Sequence, residues 1–295
     1  MSTADPTETL PTLSVIVTCR NSAATLERTL NSIARQEYAG WWEVVVVDNA
    51  STDATVAIAQ KFQNRLPNFR VLRVPKPGFQ ASGLNHGIEQ TTGEAIVFMD
   101  SDDLAADGYL DKMARAMATE PYVGGQLDVL RLNPLEVRDR RELLQVERID
   151  KYCGYLPAVV GASMGARREA VLKVKGFDES LPTQHDLDIS WRLAAAGVPA
   201  TFVPGAVLHY RYRTGPRQIF EQERGYGVGE VVLYRKFRKQ GMPGRGLREA
   251  AGDWVRVLRA LSQVLLPGGP ARVATAAGIA VGRLEGSWRY RTPYL

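Results

Sequence analysis

Two apolar runs constrain this chain more than any other feature. One is Leu13-Ser14-Val15-Ile16-Val17-Thr18, and the other is the unbroken Val44–Val47 run after Glu43. A strand with one wet face alternates apolar and polar residues, so a continuous run requires cover on both faces. Helical stretches follow each run. The first is capped at Asn21-Ser22 and extends to about Gln36; the second starts at Asp53 and extends to about Arg65. Phe69–Val74 and Ala95–Phe98 read as further strands around a helix at Ala81–Gln90. Strands alternating with helices imply right-handed crossovers and a mostly parallel sheet, an α/β fold. In such sheets ligands bind beyond the carboxyl ends of the strands, so the residues just after each strand are the ones to examine.

The pattern changes after residue 103. A helix is expected over Ala105–Ala118, strands over Gly124–Leu132 and Ala158–Ala166, and a charged helical stretch over about Glu136–Lys151. Asp186–Ala196 reads as a helix, and Thr201–Val203 and Ala206–Tyr210 as two short strands. From Pro216 to the end the chain is helical, with breaks at 241–246 and 267–270. Charge changes along the same line. Residues 1–204 hold 21 basic and 26 acidic side chains, whereas residues 205–295 hold 16 basic and 6 acidic. A basic tail on an acidic body suggests an anionic partner for that tail, or else a set of solvated helix faces. No apolar run approaches the roughly 20 residues that span a bilayer. The first ten residues are polar and read as a frayed terminus without a signal pattern, so the expected location is the cytoplasm. Cys19 and Cys153 offer neither a disulfide framework nor a metal pair and read as packing residues.

Three carboxylates follow the fourth strand: Asp100, Asp102 and Asp103. Packed acids repel one another and need a cation to be tolerated together. Hard oxygen ligands without nearby Cys point to Mg²⁺ or Mn²⁺. The alternative is an acidic turn that caps the following helix. Asp48 ends the second strand, where a carboxylate can accept hydrogen bonds from a base or ribose, and Asp53 reads as a helix cap. Thr18 to Asn21 end the first strand beside the same crevice.

The segments LSVIVTCRNSAATLERTLNSIARQ, VVVVDNASTDAT, GLNHGIEQTTGEAIVFMDSDD and FDESLPTQHDLDISWRLAAAG, in that order, resemble the family-2 glycosyltransferases of the GT-A fold over about residues 13–210. The resemblance implies a Rossmann-like central sheet flanked by helices and a GT-A domain over 11–215. A nucleotide-binding part lies at about 11–103 and an acceptor-binding part at about 104–215, with a basic helical region at 216–295. It implies a nucleoside-diphosphate sugar as donor, a hydroxyl-bearing acceptor, a divalent metal (Mn²⁺ or Mg²⁺) and inversion at the anomeric carbon. Asp48 then matches the aspartate that binds the donor base, with Thr18, Arg20 and Asn85 among the donor contacts. Asp100 and Asp102 match the DXD acids on ribose and metal, with Asp103 as an additional acid. Asp186 takes the position of the catalytic base, and Asp188 that of a supporting group or a helix-facing cap. Two positions depart from the pattern: the family often has Arg before the asparagine where this chain has Leu84, so that SGLN resembles the variant of rhamnosyltransferase-like members, and His185 replaces a glutamate.

His209 resembles the histidine that completes the metal shell in many GT-A enzymes, and reads equally as a structural donor. Trp191 either floors the acceptor site or packs in the core. Arg211, with Arg213 and Arg217, can clamp a diphosphate or a phosphorylated acceptor. Apolar residues at helical spacing from Trp254 to Leu265, interleaved with Arg256 and Arg259, suit a helix on an anionic membrane, or one packed on its own domain or in a homodimer. Two other enzyme or homologue classes compete. A sugar-phosphate nucleotidyltransferase needs a Gly-rich basic loop after the first strand, which TCRNSAATLE lacks. A non-catalytic sugar-binding homologue does not need the acids at 48, 100, 102 and 186. Nucleic acid is not an expected partner, because the body is acidic and no aromatic–basic platform is present.

Overall fold

The computed structural model describes residues 10–138 and 145–295. Its strands are β1 (Leu13–Cys19), β2 (Trp42–Asp48), β3 (Arg70–Arg73), β4 (Ala95–Asp100), β5 (Leu104–Ala105), β6 (Tyr122–Asp128), β7 (Met164–Arg167) and β8 (Thr201–His209). They form one sheet in the order β3-β2-β1-β4-β7-β6-β8-β5. Pairings β1–β2, β1–β4, β2–β3 and β6–β8 are parallel; β4–β7, β6–β7 and β5–β8 are antiparallel. The helices are α1 (Leu26–Ala34), α2 (Thr55–Gln60), α3 (Gln80–Gln90), α4 (Tyr109–Thr119), α5 (Leu135–Arg138), α6 (Arg168–Lys173), α7 (His185–Ala195), α8 (Pro216–Phe237), α9 (Leu247–Ser262) and α10 (Gly269–Arg289).

The two-sided cover expected of the valine run is present. Val15, Val17, Val44 and Val46 pack with Leu26 and Leu30 of α1 and with Tyr109 and Met113 of α4. Their neighbours Ile16, Val45 and Val47 point the other way, onto Leu84 and Ile88 of α3 and Ile189 and Leu193 of α7. Alternate residues thus enter two separate cores, which is why no polar residue interrupts the run.

Several expected boundaries move, each for a local reason. Asn21 adopts a left-handed conformation (φ 51°) and α1 begins at Leu26, so Asn21 and Ser22 belong to a loop and not to a cap. Residues 201–209 form one strand, carried past Pro204–Gly205 by a register shift against Gly125 and Gln126. Within the expected strand at Ala158–Ala166, a 3₁₀ turn at Gly161–Ser163 delays β7 to Met164. The expected frayed terminus falls almost wholly outside the described residues, as does the 139–144 part of the helical stretch at 136–151. Of the rest of that stretch, Leu135–Arg138 contains a short helix and 145–151 none.

The C-terminal helices pack closely on the sheet domain and on one another. A Cβ on Gly227 of α8 would come 2.5 Å from the carbonyl oxygen of Ile279, and one on Gly278 of α10 2.8 Å from that of Phe220. Glycine therefore lets these two backbones touch. Arg283 joins the layer electrostatically, reaching Glu230 at 2.7 Å and Asp253 at 2.6 Å. Phe237 of α8 packs edge-on against Trp191 of α7 at 5.2 Å, which seats α8 on the body.

Candidate active site

The carboxyl ends of β1, β2 and β4 open onto a cavity of about 510 Å³. Register puts Thr18 beside Asp100, and Cys19 beside Asp48. The β1 loop is pinned as a wall: Ser22 Oγ meets Ser101 Oγ at 2.7 Å, and Asn21 Oδ1 accepts from the Thr52 N–H at 2.8 Å. The opposite wall comes from Gly78, Phe79 and Gln80 ahead of and at the start of α3. Asn49 holds it, donating to the Gly78 carbonyl at 2.9 Å. Gln80 Nε2 donates to Asp100 Oδ1 at 2.6 Å and to Thr18 Oγ1 at 3.2 Å. Arg20, Arg211 and Arg213 also line the cavity, and α8 contributes Gln222 and Tyr226.

Asp100, Asp102 and Asp103 each bring a carboxylate oxygen within 4.8 Å of the others. No helix starts from this turn: β5 follows directly, and α4 begins at Tyr109 behind Gly108. The helix-cap alternative is thereby removed. Burial, with the charges of Asp102 and Asp186, pushes the Asp100 carboxyl up to about 7 against the hydrogen bond from Gln80. Burial also raises Asp102, opposed by Arg213 and Arg211. It raises Asp103 well above the ordinary range, reinforced by Asp102 and Asp100. Asp103 Oδ1 accepts the Arg211 backbone N–H at 2.7 Å, while its Oδ2 is buried with no hydrogen-bond partner. Arg213 Nη1 lies 3.7 Å from Asp102 Oδ2. Crowded acids and an orphaned buried carboxylate oxygen form a donor set suited to a hard divalent ion.

His209 lies beside this turn, paired with Leu104 across β5–β8. Its Nδ1 is 2.6 Å from Asp128 Oδ2, and its Nε2 is 2.9 Å from Arg131 Nη1. Arg131 can only donate, so Nε2 accepts and Nδ1 carries the proton given to Asp128. The tautomer therefore presents a lone pair at Nε2 to a cation, here a guanidinium.

Asp186 occupies the first turn of α7, where the helix dipole favours a carboxylate. Its Oδ2 accepts the Gly161 N–H at 2.9 Å and its Oδ1 the Leu187 N–H at 3.0 Å. It is not among the cavity-lining residues, yet its charge reaches Asp100. Asp188, one turn in, is fully buried and bound to Arg192 at 2.7 Å and Lys236 at 2.5 Å. That pairing joins α7 to α8. His185 is buried edge-on against Phe177, and burial holds its imidazole below the ordinary value despite Asp186 and Asp188.

Three expected site residues lie elsewhere. Asn85 brackets Phe177, accepting its N–H at 2.8 Å and donating to its carbonyl at 2.9 Å, so it ties α3 to the 177–179 loop instead of facing the cavity. Trp191 is 1% exposed and gives its indole N–H to the Leu156 carbonyl, which makes it a core residue. Asp48 is buried and absent from the cavity lining, accepting from the Ser51 N–H at 3.1 Å with Arg73 at 3.6 Å. Cys19 packs as expected, its thiol pushed up to about 12 by burial and by Asp48 and Asp53. Gln80, Phe79, Gln222 and Tyr226 had no signal in the sequence, because tertiary packing alone brings them to the β1 and β4 ends.

The sequence profile of glycosyl transferase family 2 matches residues 14–174, and that of glycosyl transferase family group 2 matches 95–281. Among curated proteins, the glycosyltransferase AglE of Haloferax volcanii is 26% identical over 72% of this chain and 75% of its own length. The pre-mycofactocin glycosyltransferase of Mycobacterium tuberculosis is 26% identical over 75% of this chain, which spans 47% of that protein. Among solved structures, the mannosyltransferase PcManGT of Pyrobaculum calidifontis, in complex with GDP-Man and Mn²⁺, superposes with a TM-score of 0.67. It is 21% identical, with 97% of this chain and 89% of that one covered.

Proposed function

The chain belongs to glycosyl transferase family 2 and is a glycosyltransferase of the GT-A fold; from that premise we propose that it moves a sugar from a nucleoside diphosphate to an acceptor hydroxyl, with inversion. The observation that carries this reading is the convergence of three carboxylates at the β4 end beside a cavity walled by arginines. The GDP-Man and Mn²⁺ in the PcManGT structure support the same donor class. Asp102 would hold the divalent ion with Asp100 and Asp103 beside it, whereas His209, engaged by Asp128 and Arg131, stands outside that acid cluster. Bound there, the ion supplies positive charge opposite the leaving diphosphate.

The remaining roles fall to side chains of this chain. Thr18, Arg20 and Asn49 border the donor, and Asp48 orders the 49–51 turn at the edge where the base is read. Arg211 and Arg213 add charge on the diphosphate side. Asp186 takes the proton from the acceptor hydroxyl as its oxygen attacks the anomeric carbon, and the bond to the diphosphate breaks on the opposite face. No nucleophilic side chain is needed, in keeping with the packed, raised thiol at Cys19. Asp188 positions α7 through Arg192 and Lys236. We place the enzyme in the cytoplasm, with its basic C-terminal helices toward the inner face of the membrane.

A thermal-shift screen of UDP-, GDP- and dTDP-sugars with Mn²⁺ identifies the donor, since a ligand of the native state stabilises it by mass action. Incubation with that donor and a hydroxyl acceptor should release nucleoside diphosphate. Release of pyrophosphate instead would make the protein a nucleotidyltransferase.

A further inference from the structure

The inner side of α9 is fixed and its outer side is bare. Asp253, Val257 and Ala260 are buried, and Asp253 is held by Arg283 and Arg245. The outward arc carries Leu247, Trp254, Leu258, Leu261 and, just past the helix end, Leu265, at intervals of 7, 4, 3 and 4 residues. At 3.6 residues per turn these side chains stack in one stripe. All five are exposed, Leu258 at 65% and Leu265 at 97%. Arg248 and Arg259 lie together about a third of a turn round the helix from the stripe and are also exposed. The exposed acid of this helix, Glu249, is engaged in capping the Gly246 N–H at 2.9 Å.

We infer that this face of α9 docks on an anionic lipid surface, with the leucines and Trp254 entering the acyl boundary and Arg248 and Arg259 at the headgroups. Charge selects this occupant, because the exposed cations Arg248 and Arg259 accompany the apolar residues and the helix's exposed acid is engaged in its own cap. Interfacial helices combine an apolar face, flanking arginines and aromatic anchors in this way. None of the described helices is long and apolar enough to cross a membrane, so the helix would lie in the interface. The inference deepens the location proposed above and rests on it. It is separate from the donor chemistry, so its failure would leave the transfer reaction standing.

Flotation with vesicles tests it on the full chain. The protein should float with vesicles of phosphatidylcholine mixed with phosphatidylglycerol, less in high salt, and remain at the bottom with phosphatidylcholine alone. Leu258→Ser combined with Leu261→Ser should abolish flotation with an unchanged melting temperature. Each of Arg248→Gln and Arg259→Gln should weaken it about fivefold. Equal flotation with neutral vesicles would overturn the anionic assignment. Absence of flotation overturns the proposal outright. So does a dimer in light scattering that the double serine variant splits, since the face is then a subunit contact.

Discussion

Gly161 donates its backbone N–H to Oδ2 of Asp186 at 2.9 Å, and a Cβ at position 161 would stand 3.2 Å from the Cβ of Asp186. The two residues are fitted to each other, so position 161 controls where the carboxylate points. Asp186→Asn should keep donor and metal binding near wild type and lose roughly 10²–10⁴-fold in transfer rate. Gly161→Ala should shift the carboxylate by a fraction of an ångström and lose up to about 10²-fold. Calorimetry of donor binding beside turnover rates separates these effects. An Asp186→Asn enzyme with full activity would remove this carboxylate from the mechanism.

Asp188 behaves differently because its partners are structural. Asp188→Ala leaves Arg192 and Lys236 facing a buried gap at the α7–α8 junction, and removing one member of a buried pair costs roughly 3–5 kcal/mol. Lys236 keeps Asp178 at 2.6 Å, so the low end of that range is expected, about 3 kcal/mol. Urea denaturation measures it. A large rate loss with wild-type stability would instead mean that the base sits at 188.

Asn85 makes a similar distinction in the donor half. Asn85→Ala removes both bonds to the Phe177 backbone and strands a buried N–H, at a cost of roughly 1–3 kcal/mol. Donor affinity, titrated below the melting transition, should be unchanged. A donor affinity that fell with unchanged stability would return Asn85 to the nucleotide site.

These contrasts mark what the sequence could reveal. The strands β1, β2 and β4 were legible because burial on both faces leaves continuous apolar runs, and strand ends locate acids such as Asp48 and Asp100 without tertiary information. Asp186 and Asp188 were legible as a motif, but only packing distinguishes them: one accepts two backbone N–H groups, the other two cationic side chains. Pro204–Gly205 imitated a strand break because a bulge and a loop use the same residues. Gln222 and Tyr226 reach the cavity from α8, beyond the expected boundary at 215, through seating contacts such as Phe237 on Trp191 that no local pattern records.

The acid cluster makes stability depend on pH in a defined sense. In the unfolded chain Asp100 loses its proton near 3.8, whereas in the folded protein it retains it up to about 7. Between those values the folded state binds more protons, so this group lowers stability as pH rises through the window and contributes no further change above it. Asp102 and Asp103 are shifted in the same direction. With a chelator present, Asp100→Asn should therefore gain in melting temperature over wild type near pH 7 and lose that advantage near pH 4. A divalent ion favours the ionised acids, so the Mn²⁺-induced thermal shift of wild type should grow from about pH 5 to about pH 8. Asp102→Asn should lose most of that shift at both ends while keeping its fold by circular dichroism. A shift that is the same in wild type and Asp102→Asn would place the ion elsewhere, and the three carboxylates would then need another source of positive charge.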